Sequence, residues 1–133
     1  MTDRHNSPRR VLIVDQSEDT REVLRTVLQQ HDVQIYEARG GAEGLDLARR
    51  CHPDVMVVDL DTVNPADISV CDGFNRQARL ENSSLVLLGS VRRWRLATSY
   101  SDVVPKPYHY GPLLRKIESL LQQSSAGATE TPG

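Results

Sequence analysis

Residues 53–61 of the chain, Pro-Asp-Val-Met-Val-Val-Asp-Leu-Asp, decide its fold. The apolar run Val55–Val58 is unbroken and mostly β-branched, which is typical of a strand covered on both faces in the centre of a parallel sheet. The run is followed by Asp59 and Asp61, so two carboxylates lie at the carboxyl end of this strand. Ligands of open α/β sheets bind at the carboxyl ends of the strands. We therefore expect a functional site around Asp59.

A strand that ends in a charged residue is predicted twice more. Residues 11–14 form a second unbroken apolar run followed by Asp15, and the last short apolar pair leads to Lys106. Because the carboxyl ends of parallel strands meet at one edge of a sheet, Asp15, Asp59 and Lys106 are expected to lie together. Two neighbouring carboxylates repel unless cations compensate them, which favours an oxygen-ligated Mg²⁺ or Mn²⁺ beside the lysine. Such a site suits transfer of a phosphoryl group to Asp59.

Strand and helix patterns alternate along the whole chain. Short apolar runs predict five strands, at residues 11–14, 33–36, 55–58, 85–88 and 103–104. The alternation predicts one α/β domain, a doubly wound five-stranded parallel sheet with helices on both faces and the second strand at an edge. The segment 91–99 has room for only a short helix, and the polar stretch 62–71 is long for a loop between a strand and a helix. We expect a flexible lead over residues 1–9, the folded domain over 10–122 and a disordered tail over 123–133.

Composition excludes several classes of partner. A length of 133 residues suits one domain, and a net charge of −2 gives no overall attraction to nucleic acid or anionic lipid. Cys51 and Cys71 match neither a CxxC motif nor a zinc pattern, so we interpret them as free thiols of a reducing compartment. The apolar runs are far shorter than a membrane span. We expect a cytoplasmic protein with no direct nucleic-acid or membrane partner.

Three motifs in this order, VLIVD, PDVMVVDLD and Lys106-Pro107, resemble the receiver domain of two-component response regulators. The resemblance covers about residues 10–121 and implies a flavodoxin-like (CheY-like) sheet with strand order 2-1-3-4-5. It implies that Asp59 is the phosphoacceptor, that Asp15 belongs to an acidic metal pocket, and that Lys106 contacts the phosphoryl group. It also implies that the peptide bond between Lys106 and Pro107 is cis. The implied partners are a histidine kinase or histidine phosphotransfer protein and an effector protein, and a homodimer is left open.

Three positions depart from the family's pattern. Gln16 replaces a second acid, and because its amide oxygen brings no charge we expect Mg²⁺ to bind weakly. Asp61 is expected to supply part of the missing charge, so Asp61→Ala should weaken Mg²⁺ binding. Gly89 replaces the family's hydroxyl residue after the fourth strand unless Ser90 supplies the hydroxyl, and Val103 replaces the aromatic switch residue. The predicted metal ligands are Asp15, Gln16, Asp59 and Asp61, and the predicted phosphoryl contacts are Lys106 and Ser90.

The sequence supports three functional interpretations. The leading one is a stand-alone receiver with no turnover substrate, which takes a phosphoryl group on Asp59 and signals through protein–protein interaction. The alternative is a degenerate receiver that binds partners without phosphorylation, and Gln16 and Gly89 favour it. The third comes from VMVVDLDT and LVLLGS, which also resemble the first two motifs of haloacid-dehalogenase-type phosphatases. It is the least favoured, because the motif lies on the third strand and no acidic pair follows Lys106.

Overall fold

The computed structural model describes residues 8–64, 67–89 and 101–130 of the chain. The short helix predicted within residues 91–99 lies outside this described part. The described elements are β1 (Arg9–Val14), α1 (Glu18–Leu28), β2 (Val33–Ala38), α2 (Gly41–Cys51), β3 (Val55–Asp59), α3 (Ile68–Glu81), β4 (Ser84–Leu88), β5 (Ser101–Val104) and α4 (Tyr110–Glu130).

The strands form one parallel sheet with the order β2-β1-β3-β4-β5. This is the predicted flavodoxin-like order, with β2 at an edge. The central strands β1 and β3 pair along Val11–Val14 and Val55–Val58, and each of these residues is at most 1% exposed. Continuous apolar runs are stable in such strands because both faces of the sheet are covered. The two strands lead directly to Asp15 and Asp59.

Helices cover both faces of the sheet, as predicted. Successive side chains of a strand point to opposite faces, so the residues of β1 divide between two apolar clusters. Leu12 and Val14 belong to the cluster that α2 and α3 complete, whereas Val11 and Ile13 belong to the cluster that α1 and α4 complete. The sheet is thus anchored from both sides, which fixes the positions of its strand ends.

A glycine allows α2 to lie close to the sheet. Gly44 is buried where α2 crosses β1, and a Cβ atom at this position would lie 2.5 Å from Val14 Cγ2. Glycine inside a helix costs about 1 kcal/mol relative to alanine. The close approach to Val14 explains why this helix contains one.

The loop after β3 is shorter than the sequence predicts. Residues 62–71 are not all loop, because α3 begins at Ile68, where the Asp67 side chain accepts a hydrogen bond from the N–H of Val70. Asp67 is thus an N-cap, which satisfies one of the free N–H groups at the start of a helix. Val63, which is 2% exposed, fastens the beginning of the loop to the core.

The last helix is longer than the sequence predicts. α4 begins at Tyr110 and runs to Glu130, whereas the polar composition predicts a disordered tail from residue 123. Residues 123–130 contain no proline, so every residue of this stretch keeps the backbone N–H that an α-helix uses. The predicted boundaries of the folded domain stay a prediction. Within the described ranges, no helix has the length and apolar composition needed to cross a membrane.

Candidate functional site

The three charged residues predicted to form the site lie together at the carboxyl ends of β1, β3 and β5. Asp15 follows β1 and is 4% exposed, and Asp59 ends β3 and is 2% exposed. Val14 pairs with Val58 in the sheet, so the two acids occupy equivalent positions on neighbouring strands. Lys106 Nζ forms an ion pair with Asp59 Oδ1. The strand order therefore gathers two carboxylates and an ammonium from distant parts of the chain.

Asp15 is held by three hydrogen bonds. Its N–H donates to the carbonyl of Ala38 at 3.0 Å, and its Oδ1 accepts from the N–H of Ser17 at 2.9 Å. Its carbonyl oxygen accepts from Nε of Arg21 at 2.9 Å. These bonds join the end of β1 to β2 and to the start of α1. The Asp15 carboxylate is thus fixed in position.

Arg21 is a site residue that the sequence analysis missed. Its side chain is buried on α1 and pairs with Glu37 of β2 at 3.0 Å, while Arg25 contacts the other Glu37 oxygen at 2.5 Å. Arginine is seldom buried unless it is paired, so a pattern of apolar residues does not reveal it. The available signal was its spacing, three residues before Leu24 on the inward face of the helix.

The second carboxylate oxygen of Asp59 accepts a hydrogen bond from a hydroxyl group. Thr62 Oγ1 donates to Asp59 Oδ2 at 2.8 Å and accepts from the N–H of Gln16 at 2.9 Å. Thr62 is half-buried, whereas Gln16 is exposed. The sequence analysis did not identify Thr62, because a threonine in a polar loop follows no recognisable pattern. Its contacts nevertheless place it directly on the predicted phosphoacceptor.

Lys106 is shared between two acids. In addition to Asp59, its Nζ binds Asp61 Oδ2 at 2.8 Å. Burial alone would lower the pKa of Lys106, but hydrogen bonds and charge from Asp59 and Asp61 outweigh it and raise the pKa well above its ordinary value. Lys106 is thus a permanent cation. Its peptide bond to Pro107 is cis, which confirms the expectation from the resemblance.

Burial and a neighbouring carboxylate both act on Asp15. Burial is the largest cause of a raised pKa of Asp15, and the charge of Asp59 raises it further. The hydrogen bond from Ser17 and the charges of Lys106 and Arg21 act in the opposite direction. A partly dehydrated pair of carboxylates suits a hard divalent cation, which prefers oxygen ligands.

The metal ligands predicted from the sequence do not all converge on one point. Within the described ranges, no group of three or more acidic, histidine or cysteine side chains is arranged to hold a metal ion. Asp61 contacts Lys106, and the predicted ligand Gln16 is exposed. The oxygen donors that fit a divalent cation are the buried carboxylates of Asp15 and Asp59, which follow neighbouring strands. The roles of Gln16 and Asp61 as ligands stay predictions.

Two tyrosines beside the site were also missed by the sequence analysis. Tyr108 and Tyr110 meet edge to face, with ring centroids 5.9 Å apart and an interplanar angle of 83°. Burial and the nearby charge of Asp15 are the main causes that raise the pKa of Tyr108 to about 12. Tyr110 Oη lies 3.4 Å from Oγ1 of Thr20, near the start of α1. Tyr108 is thus an uncharged aromatic side chain next to the acids.

The end of β4 carries no hydroxyl group at Gly89. This residue is buried with φ of 131°, a conformation that favours glycine, and its N–H donates to the carbonyl of Val104 at 2.9 Å. Ser90, the predicted hydroxyl donor, lies outside the described residues, so its role stays a prediction. Val103 is half-buried where the family has an aromatic residue.

Fold and site together define a class, the α/β receivers with an acidic pocket and a lysine at one sheet edge. A family model described as "Response regulator receiver domain" matches residues 11–88, and the chain belongs to this family. Receiver domains are generally non-enzymatic signalling modules that bind Mg²⁺ in their acidic pocket and work with histidine kinases. Family membership removes the phosphatase interpretation, because the motif behind it is the third strand of a receiver sheet.

Individual relatives agree with this assignment. The chain is similar to "Response regulator MprA" of Mycobacterium sp. strain KMS, with 31% identity over 125 residues, 89% of this chain and 53% of the relative. The protein of the same description from Mycobacterium leprae strain TN is 30% identical over 122 residues, 86% of this chain and 52% of the relative. The chain thus spans about half the length of these curated relatives.

Solved structures support the same fold. A response regulator receiver modulated diguanylate cyclase from Pelobacter carbinolicus matches with a TM-score of 0.70 and 27% identity, covering 91% of this chain and 98% of that one. The chemotaxis protein CheY4 of Vibrio cholerae matches with a TM-score of 0.69 and 19% identity, covering 86% and 99%. The second match shows the fold alone.

Proposed function

We propose that the chain is a phosphorelay receiver that accepts a phosphoryl group on Asp59 from a histidine kinase or phosphotransfer protein. The observation that carries the proposal is the ion pair between buried Asp59 and Lys106 across the sheet edge. A carboxylate can act as a nucleophile toward phosphorus, and a fixed ammonium stabilises the charge that develops on the phosphoryl oxygens. Phosphorylation would then change the affinity for an effector protein.

The proposed transfer exchanges one bond for another. A carboxylate oxygen of Asp59 forms a bond to phosphorus, and the bond from phosphorus to the donor's histidine nitrogen breaks, leaving the electron pair on nitrogen. Asp15 and Asp59 would hold Mg²⁺ or Mn²⁺, with Gln16 and Asp61 as further oxygen ligands. The bound cation supplies positive charge at the phosphoryl oxygens. We expect weak binding, because Gln16 is uncharged and Asp61 contacts Lys106.

Stoichiometric labelling tests this function. The protein is incubated with acetyl phosphate or phosphoramidate and Mg²⁺, and intact-mass spectrometry follows the addition of one phosphate. We expect labelling of the wild type and of Asp102→Asn, a control acid that pairs with Lys116 at 3.7 Å on β5 and α4. Asp59→Asn should remain unlabelled. Labelling of Asp59→Asn to the wild-type level would contradict the assignment of the phosphoacceptor.

A receiver that binds its partner without phosphorylation is the second candidate function. Two observations favour it: Gln16 brings no charge to the metal pocket, and Gly89 brings no hydroxyl to the end of β4. The same labelling experiment separates the two functions, because a degenerate receiver takes up no phosphate at any Mg²⁺ concentration. Phosphoryl contact by Ser90 and a homodimeric state remain further proposals.

The cellular setting is also a proposal. Cys51 and Cys71 are free cysteines, which accords with a reducing cytoplasm. Action without a fused output domain stays a prediction, because the chain spans about half the length of the curated relatives. The proposed phosphorylation does not depend on whether an output domain is present, since the residues proposed to take part in it lie within the receiver domain.

A further inference from the structure

Thr62 connects three parts of the site through one hydroxyl group. Its Oγ1 donates its single hydrogen to Asp59 Oδ2 at 2.8 Å and accepts the N–H of Gln16 at 2.9 Å. Lys106 contacts the other oxygen of Asp59. Both oxygens of the acceptor carboxylate are therefore engaged, one by an ammonium and one by a hydroxyl.

We propose that Thr62 is a positioning residue that holds the resting Asp59 carboxylate and competes with a divalent cation for its Oδ2 atom. This inference rests on the proposed function and deepens it. A hydroxyl that donates to a carboxylate oxygen takes up one of its two lone pairs and part of the negative charge that a cation would bind at the same atom. A cation at Oδ2 would then weaken or displace the hydrogen bond from Thr62.

The surroundings favour such competition. Asp59 is 2% exposed, so water has little access to replace the hydroxyl as a hydrogen-bond donor. Hydrogen bonds to a charged group are among the stronger ones in proteins, and losing this bond adds to the cost of loading the metal. Gln16 takes part through its backbone N–H, which ties the loop after β1 to the loop after β3. The bond thus stabilises the metal-free arrangement of both loops.

Metal titration separates this role from a purely structural one. Isothermal titration calorimetry with Mg²⁺ and with Mn²⁺ is carried out on the wild type, Thr62→Val and Thr62→Ser. Valine keeps the shape of threonine and removes the hydroxyl, so we expect the dissociation constant to fall by about three- to tenfold. Serine keeps the hydroxyl and should retain the wild-type constant. Thr26→Val, an exposed threonine of α1, is the matched control and should also bind as the wild type does.

Unchanged or weaker metal binding by folded Thr62→Val would overturn the inference, as would the absence of binding by every variant. If Thr62→Val is less stable, the rise of its unfolding temperature with Mg²⁺ is compared with that of the wild type, and a larger rise supports the competition. Phosphate labelling is scored separately. Tighter metal binding without any labelling would keep the competition at Asp59 and remove the phosphorelay function.

Discussion

Replacing Lys106 with methionine removes the cation that two acids share while keeping a side chain of similar length. The pair with Asp61 has side chains 36% and 41% exposed, so its loss costs below about 1 kcal/mol. Breaking a fully buried pair costs about 3–5 kcal/mol. The Asp59 side chain is 3% exposed but Lys106 is 36% exposed, so water replaces part of the interaction and roughly half of that cost, about 2 kcal/mol, is expected. The expected total is about 2–3 kcal/mol.

Urea unfolding followed by circular dichroism at pH 7 measures this loss, with the slope expected to stay unchanged. Lys116→Met is the matched control, because Lys116 pairs with Asp102 at 3.7 Å and both side chains are at least 40% exposed. We expect the control to cost below about 1 kcal/mol. The comparison removes the general effect of exchanging a lysine for a methionine.

A double-mutant cycle identifies which acid depends on Lys106. In the Asp59→Asn background, Lys106→Met should cost below about 1 kcal/mol, because only the exposed pair with Asp61 remains to be lost. The reasoning is refuted if the cost is the same in both backgrounds, or if Lys106→Met costs no more than Lys116→Met. Either result would mean that the buried charge of Asp59 does not depend on the lysine.

Three further substitutions test the surroundings of the site by urea unfolding. The raised pKa of Asp15 means that its contribution to stability is present at low pH and is lost as pH rises through the folded-state pKa. Asp15→Asn should therefore stabilise the protein at pH 7, and the gain should shrink toward about pH 4. An equal gain in stability at pH 7 and at pH 4 would contradict this reasoning about Asp15. Gly44→Ala places a Cβ 2.5 Å from a β1 side chain and should cost about 1–3 kcal/mol. The control Gly40→Ala meets nothing within 4 Å but changes the N-cap of α2, and it should cost below about 1 kcal/mol. Arg21→Met leaves the Asp15 carbonyl without its donor and should cost about 2 kcal/mol, against below about 1 kcal/mol for the more exposed Arg25→Met; equal costs would count against a special role of Arg21.

The sheet and its charged edge could be predicted because hydrophobicity and strand direction determine both. Unbroken apolar runs at Val11–Val14 and Val55–Val58 require burial on two faces, and parallel strands bring their carboxyl ends to the same edge. These two rules suffice to bring Asp15, Asp59 and Lys106 together, as the structure does. Neither rule depends on the detail of any loop.

The hydrogen-bonding partners of the acids were not predictable in the same way. Thr62 reaches Asp59, and Arg21 reaches the Asp15 carbonyl, through side chains whose direction depends on the exact backbone path. A polar residue in a loop or at a helix start has many possible partners, and the sequence does not say which one it chooses. The start of α3 is an intermediate case, since an aspartate before an apolar segment is a recognisable cap that could have identified Asp67.

The burial of Val11–Val14 in β1 and of the whole of β3 determines where this protein can open locally. Backbone amides in such strands exchange with solvent only through large-scale unfolding, whereas amides of exposed loops exchange through small fluctuations. Asp15 and Asp59 stand at the boundary between these regimes, with Gln16 and Thr62 on the loop side. The two acids therefore join strands that open only with large-scale unfolding to loops in which local opening costs least.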